Sequence, residues 1–240
     1  MVPRYLTSLL DDFIFTEHST MPPRHCPFCD IAATHPPTPT SAYLPRLDQQ
    51  SQPTTLLSTP TLSPGEEGHA FLVLSTKYVL AFLDIMPLTA GHLLVVPREH
   101  HGKLSEVGVR ISRELGQWLP ILSRAVMRTI FGESTEANPN TDESWNWNVV
   151  QNNGVGAAQV VPHVHFHIVP RPPLGAAGTS AKMSFIMFGR GQRDDLDDDE
   201  AEKLAGELRA EVAREVARIR EVEGVDLDAV DEGGNGRGRL

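Results

Sequence analysis

Between residues 70 and 170 the chain alternates between short apolar runs bounded by turn residues and one long stretch with helical spacing. Ala70-Phe71-Leu72-Val73-Leu74 and Val79-Leu80-Ala81-Phe82-Leu83-Asp84, separated by Ser75-Thr76-Lys77, predict a β-hairpin. After Pro87 and Gly91, His92-Leu93-Leu94-Val95-Val96-Pro97 predicts a third strand. Ile111, Leu115, Trp118, Leu119, Leu122, Val126 and Ile130 recur at helical intervals and predict a long helix running to Phe131-Gly132, with Pro120 as the place for a kink. Residues 145–151 and 163–170 supply the remaining strands. The order predicts an α+β domain, an antiparallel sheet with the long helix packed on one face.

The two ends read differently. Leu6, Leu9, Leu10, Phe13 and Ile14 have the spacing of an N-terminal amphipathic helix, and Leu204, Leu208, Val212, Val216 and Ile219 that of a C-terminal one starting near Asp199. Residues 34–69 are rich in Pro, Ser and Thr and read as a disordered insertion; the glycine-rich end, including Gly233-Gly234-Asn235-Gly236, reads as a disordered tail. Ser184-Phe185-Ile186-Met187-Phe188 is a short apolar stretch without an assigned place.

Charge changes this picture only at the C-terminus. The net charge is −10, and residues 194–240 carry 16 Asp and Glu against 7 Lys and Arg, which is −9 of it. The remaining body is nearly neutral, which argues against nucleic-acid binding and against an anionic membrane surface. No apolar run reaches the ~18 residues that span a bilayer, and Asp11-Asp12 interrupts any signal-like stretch. The expectation is an intracellular protein of the cytoplasm or nucleus, and Cys26 and Cys29, the two cysteines, form no disulfide framework.

The chemistry concentrates in His163-Val164-His165-Phe166-His167-Ile168-Val169-Pro170. On extended backbone the three imidazoles share one face, and Val164, Phe166 and Ile168 share the other. Metal ligation and phosphate chemistry both use such a row. Same-face residues stand ~6.6 Å apart along a strand, whereas zinc ligands lie ~2.0–2.3 Å from the ion, so the three divide the work rather than enclose one metal. Cys26-Pro27-Phe28-Cys29 has the spacing of half a tetrahedral zinc site or of a redox pair, and His100 and His163 are candidates to complete a Cys2His2 set. The loop from Gln151 to Gln159 is polar and small enough to offer amides to phosphate or ribose oxygens. Asp84, closing an apolar strand, can bind ribose hydroxyls or cap the following turn.

These segments together resemble the histidine triad (HIT) family of nucleotide hydrolases and transferases. The resemblance rests on the His-x-His-x-His row, on Cys26-Pro27-Phe28-Cys29-Asp30-Ile31, on Leu80-Ala81-Phe82-Leu83-Asp84-Ile85, on residues 91–100 and on residues 151–171. It covers roughly residues 24–34 and 70–173 and is nearest the Hint-like nucleoside phosphoramidase branch. It implies a sheet of about five strands with a long helix, and a purine nucleoside phosphoramidase in which His165 attacks the α-phosphorus to form a nucleotidyl-histidine. A dinucleoside polyphosphate hydrolase of the Fhit type, and a nucleotide-binding scaffold for protein partners, are the alternatives.

The resemblance also implies that His167 and His92 donate to the phosphate oxygens and that His163 orients His165 through its carbonyl while joining Cys26, Cys29 and His100 on a structural zinc. It assigns Asp84 to the ribose, Phe82 and Ile85 to the base, and Asn152, Gln159 and the Val160 backbone to the phosphate. At Val160 the chain departs from the family's usual Ser or Thr, losing a hydroxyl that assists the leaving group. The implied organisation is an N-terminal helical extension (1–23), the HIT domain (24–193) interrupted by the insertion (34–69), an acidic amphipathic helix (194–223) and a tail (224–240), assembled as a homodimer.

Overall fold

A computed structural model describes residues 25–40, 66–132, 145–171 and 195–228. The expected N-terminal helix, the stretch 184–188 and the glycine-rich tail lie outside these residues, as does the centre of the insertion.

Five strands form one antiparallel sheet: β1 (Leu72–Ser75), β2 (Val79–Leu83), β3 (Leu93–Pro97), β4 (Asn146–Gln151) and β5 (Phe166–Arg171), ordered β1-β2-β3-β5-β4. In-register partners share a face, so Phe82, Leu94 and His167 stand in one row, and Leu83, Leu93 and Ile168 in a row on the opposite face. Two long helices cover the second face. Helix α2 (Val109–Phe131) packs on β2, β3 and β5, burying Leu115, Trp118, Leu122 and Val126. Each such side chain contributes about 1.5–3 kcal/mol. The turn into β3 requires glycine: Gly91 has φ +78°, and a Cβ there would meet Ile130 of α2 at 2.7 Å.

Helix α3 (Asp198–Val222) is the acidic helix, and it belongs to the same core. Its apolar stripe, Leu208, Val212, Val216 and Ile219, is buried against α2, β1 and β2. Asp197 caps its start by accepting the amides of Asp199 and Glu200, each at 3.1 Å. Buried Glu215 accepts from Arg124, from Arg128 at 2.7 Å and from Arg218 at 2.9 Å, joining α3 to α2. Burial pushes the Glu215 carboxyl up, but the hydrogen bonds from Arg218, Arg128 and Arg124 outweigh it and hold the group at about 2.

Three differences from the sequence reading matter for the site. First, Pro27–Thr34 forms a two-turn helix, α1, with Cys26 at its N-cap and Pro27 in its first turn. Second, the histidine row is not all strand. The β3–β5 ladder stops at Val95 opposite Phe166, so His163 and His165 precede β5. The reason is Pro97: it has no N–H to extend the ladder, and its carbonyl is taken by the His163 ring. Third, the N-terminal rim of the 34–69 insertion packs on the body. The Thr38 amide donates to the Ser75 carbonyl at 2.8 Å, and Thr40 donates its amide and hydroxyl to Asp228, each at 2.7 Å.

Candidate active site and metal centre

The extended segment ahead of β5 is anchored where the Val164 amide donates to the His101 carbonyl at 2.7 Å. His163, Val164 and His165 are all buried there. Each histidine has its own partners, and those partners determine where its proton lies.

His165 donates from Nδ1 to the His163 carbonyl at 2.6 Å, which leaves Nε2 as the lone-pair nitrogen. Burial lowers its pKa below the usual 6.5, against the opposing pull of that carbonyl, so the neutral ring is favoured at neutral pH. His92, just ahead of β3 and almost fully buried, receives the Leu88 amide on Nδ1 at 3.1 Å. The proton of neutral His92 is therefore on Nε2 and is donated to Nδ1 of His167 at 2.9 Å. His167 in turn carries its own proton on Nε2. Its ring stands 4.9 Å from that of His165, centroid to centroid. The result is a nucleophilic nitrogen beside a donor braced from behind, the combination needed for attack at a phosphorus whose oxygens gain charge.

Asp84 takes the Met86 amide at 2.9 Å and lies 3.4 Å from Nδ1 of His92, so it caps the turn after β2 and also borders the histidine relay. Phe82 is buried in the row below, whereas Ile85 is half exposed on the turn. Gln159, expected at the phosphate, is buried. Its Oε1 accepts the Gly154 amide at 2.5 Å, and its Nε2 donates to the Gly102 carbonyl at 2.8 Å and the His163 carbonyl at 3.3 Å. It ties the 151–159 loop to the carbonyl that orients His165. Asn152 is half-buried at the start of that loop, and Val160 stands 71% exposed at its end. Between them Ala158 adopts a left-handed conformation (φ +62°), the described non-glycine residue with positive φ.

Cys26, Cys29, His100 and His163 converge as the motif spacing predicts, their ligand atoms all within 4.8 Å of one another. Cys26 Sγ and Cys29 Sγ stand 3.4 and 3.7 Å from Nδ1 of His163, and Cys29 Sγ is 3.3 Å from Nδ1 of His100. Ligand atoms around a tetrahedral zinc with bonds of about 2.0–2.3 Å stand about 3.3–3.8 Å apart, so the donor set and spacing fit that ion. His163 donates Nε2 to the Pro97 carbonyl at 2.9 Å, which keeps Nδ1 available as a ligand; burial brings its pKa down to about 4. Burial and the neighbouring Cys26 push the Cys29 thiol up to about 12.

Phe28, which motif reading passed over, belongs to the site. Buried between the two cysteines, it meets Phe82, His163 and His165 edge-on at ring-centroid distances of 5.5, 5.7 and 5.4 Å. Its signal in the sequence was a single apolar residue inside the Cys-x-x-Cys spacing, too little to assign.

Known proteins resemble this chain in sequence and in fold. A family model described as the HIT domain matches residues 66–174. An adenosine 5′-monophosphoramidase of Schizosaccharomyces pombe is 41% identical over 97 residues, 40% of this chain and 61% of the relative, so the chain spans under two thirds of that protein. An uncharacterized HIT-like protein of Methanocaldococcus jannaschii is 34% identical over 131 residues, 54% of this chain and 84% of the relative. Among solved structures, a hypothetical histidine triad nucleotide-binding protein from Sulfolobus tokodaii shares the fold with a TM-score of 0.50 at 20% identity, covering 64% of this chain and 91% of that one.

Proposed function

The chain belongs to the HIT domain family, and from that premise we propose that it is a purine nucleoside phosphoramidase acting through a nucleotidyl-histidine on His165. The observation that carries this reading is the His165 hydrogen bond to the His163 carbonyl, which leaves Nε2 as the unprotonated nitrogen. Nε2 attacks the α-phosphorus, the bond from phosphorus to the leaving amine breaks, and the amine takes up a proton as it departs. Water then cleaves the bond between phosphorus and His165, releasing the nucleoside monophosphate. His167, held by His92, donates to a phosphate oxygen in both steps. Asp84 takes the ribose, and Phe28, Phe82 and Ile85 the purine. A relative named as an adenosine 5′-monophosphoramidase supports adenosine 5′-monophosphoramidate as the substrate.

Zinc held by Cys26, Cys29, His100 and His163 is part of the proposal, as is an intracellular location. Bound there, the ion supplies a cross-link between α1 and the segment leading into β5, and no chemical step runs through it. A homodimer completes the reading. It is supported by Trp147, Val149 and Val150, each at least 40% exposed on β4, the edge strand beside β5.

The test is a substrate panel on wild type and His165→Ala. Faster turnover of adenosine 5′-monophosphoramidate than of diadenosine polyphosphates, with a loss of at least about 10³-fold in the variant, is the expected result. Preference for the polyphosphates would reassign the leaving group, and nucleotide binding without turnover would leave a scaffold.

A further inference from the structure

Phe28 links two sites that the sequence keeps far apart. It lies in the first turn of α1, between Cys26 at the N-cap and Cys29. Its ring meets His163, which shares the metal cluster, His165, the proposed nucleophile, and Phe82, each edge-on. These are edge-to-face contacts among buried rings, which have few alternative packings. The far end of α1 is held independently: Arg98 donates to the Ala32 carbonyl at 2.6 Å and to the His35 carbonyl at 2.9 Å. The first turn of α1 carries Asp30, which faces His25 at 3.5 Å. The attachment of this turn to the segment before β5 runs through Cys26 and Cys29 facing His163 and His100, and through Phe28 itself.

We propose that zinc occupancy and nucleotide binding are thermodynamically coupled through Phe28, so that each ligand tightens the other. The proposal rests on the nucleotide site described above. Zinc joining the four donors fixes the first turn of α1 and with it the wall that Phe28 presents to His165 and Phe82. A purine nucleotide seated on Phe82 and Phe28 favours the same placement of that turn. Two ligands that favour one conformation raise each other's affinity by an identical factor, typically about 5- to 150-fold.

The experiment measures zinc affinity by competition with a chromophoric chelator, with and without saturating adenosine 5′-monophosphate, in wild type and Phe28→Leu. Competition works at partial occupancy and needs no metal-free stock. The nucleotide should tighten zinc about tenfold in wild type and less than twofold in Phe28→Leu, which keeps all four ligands and still binds one zinc per chain. Equal zinc affinity with and without nucleotide in wild type overturns the coupling, and undiminished coupling in Phe28→Leu overturns the assignment to Phe28. If the nucleotide binds neither protein, the nucleotide-site reading fails by itself, and the link is then read from the His165 ring by NMR. Zinc addition should shift its imidazole resonances in wild type and much less in Phe28→Leu; equal shifts in both contradict the proposal.

Discussion

His165 is set up from two directions. The His163 carbonyl holds the proton on Nδ1, and burial lowers the ring's pKa, so Nε2 is left with its lone pair. The residue behind this arrangement is Gln159, whose side-chain amide spans the 151–159 loop, the Gly102 carbonyl and the His163 carbonyl. Val160, next to it, offers an exposed isopropyl group where a hydroxyl would help expel an amine. Val160→Ser is therefore expected to raise kcat for adenosine 5′-monophosphoramidate about tenfold, part of the range open to a positioned proton donor. Its melting temperature should be unchanged, because so exposed a side chain packs on little. Steady-state kinetics with a thermal melt checks both. An unchanged kcat would mean that amine departure does not limit turnover.

At the scale of elements, the legible parts were those with a clear hydrophobic pattern. Helices α2 and α3 followed from apolar spacing repeated over several turns, and the strands from short apolar runs bounded by turn residues. Helix α1 did not: its eight residues bury only Phe28 and Ile31, and Pro27 in the first turn was the remaining cue. The start of β5 was misread for a different reason, since a hydrogen bond from His163 to Pro97 decides it and no local pattern encodes that contact. Charge was also a poor guide to α3, whose acidic composition conceals a buried ion-pair network centred on Glu215. That network sets a pH dependence. The Glu215 carboxyl is depressed from 4.5 to about 2, so its contribution is present above about pH 4.5 and is lost as the pH falls toward 2. Denaturant unfolding of Glu215→Gln should show a deficit on the order of 3 kcal/mol at pH 7 that shrinks across that window. A deficit that stays constant down to pH 2 would refute the assignment.

The whole molecule is a sheet with different work on its two faces. One face is sealed by α2 and α3, so it holds the row containing Phe82 and His167 in register while α1 brings the cysteines and Phe28 onto the other. The sequence offered Cys26, Cys29, His100 and His163 as candidate metal donors, which the fold brings together, and it offered the histidine row. It did not announce the coupling between them, which depends on ring contacts between segments over a hundred residues apart. Beyond the single chain, the proposed homodimer would pair through the exposed apolar positions of edge strand β4: Trp147→Glu should convert it to a monomer in light scattering, and an unchanged dimer would move the interface elsewhere. The central claim is the covalent intermediate on His165. Wild-type protein mixed with adenosine 5′-monophosphoramidate, quenched in alkali during turnover and digested for mass spectrometry, should yield the peptide containing His165 carrying one adenylyl group, absent from His165→Ala. Full turnover with an unmodified His165 peptide, or an adduct on another residue, would contradict the account.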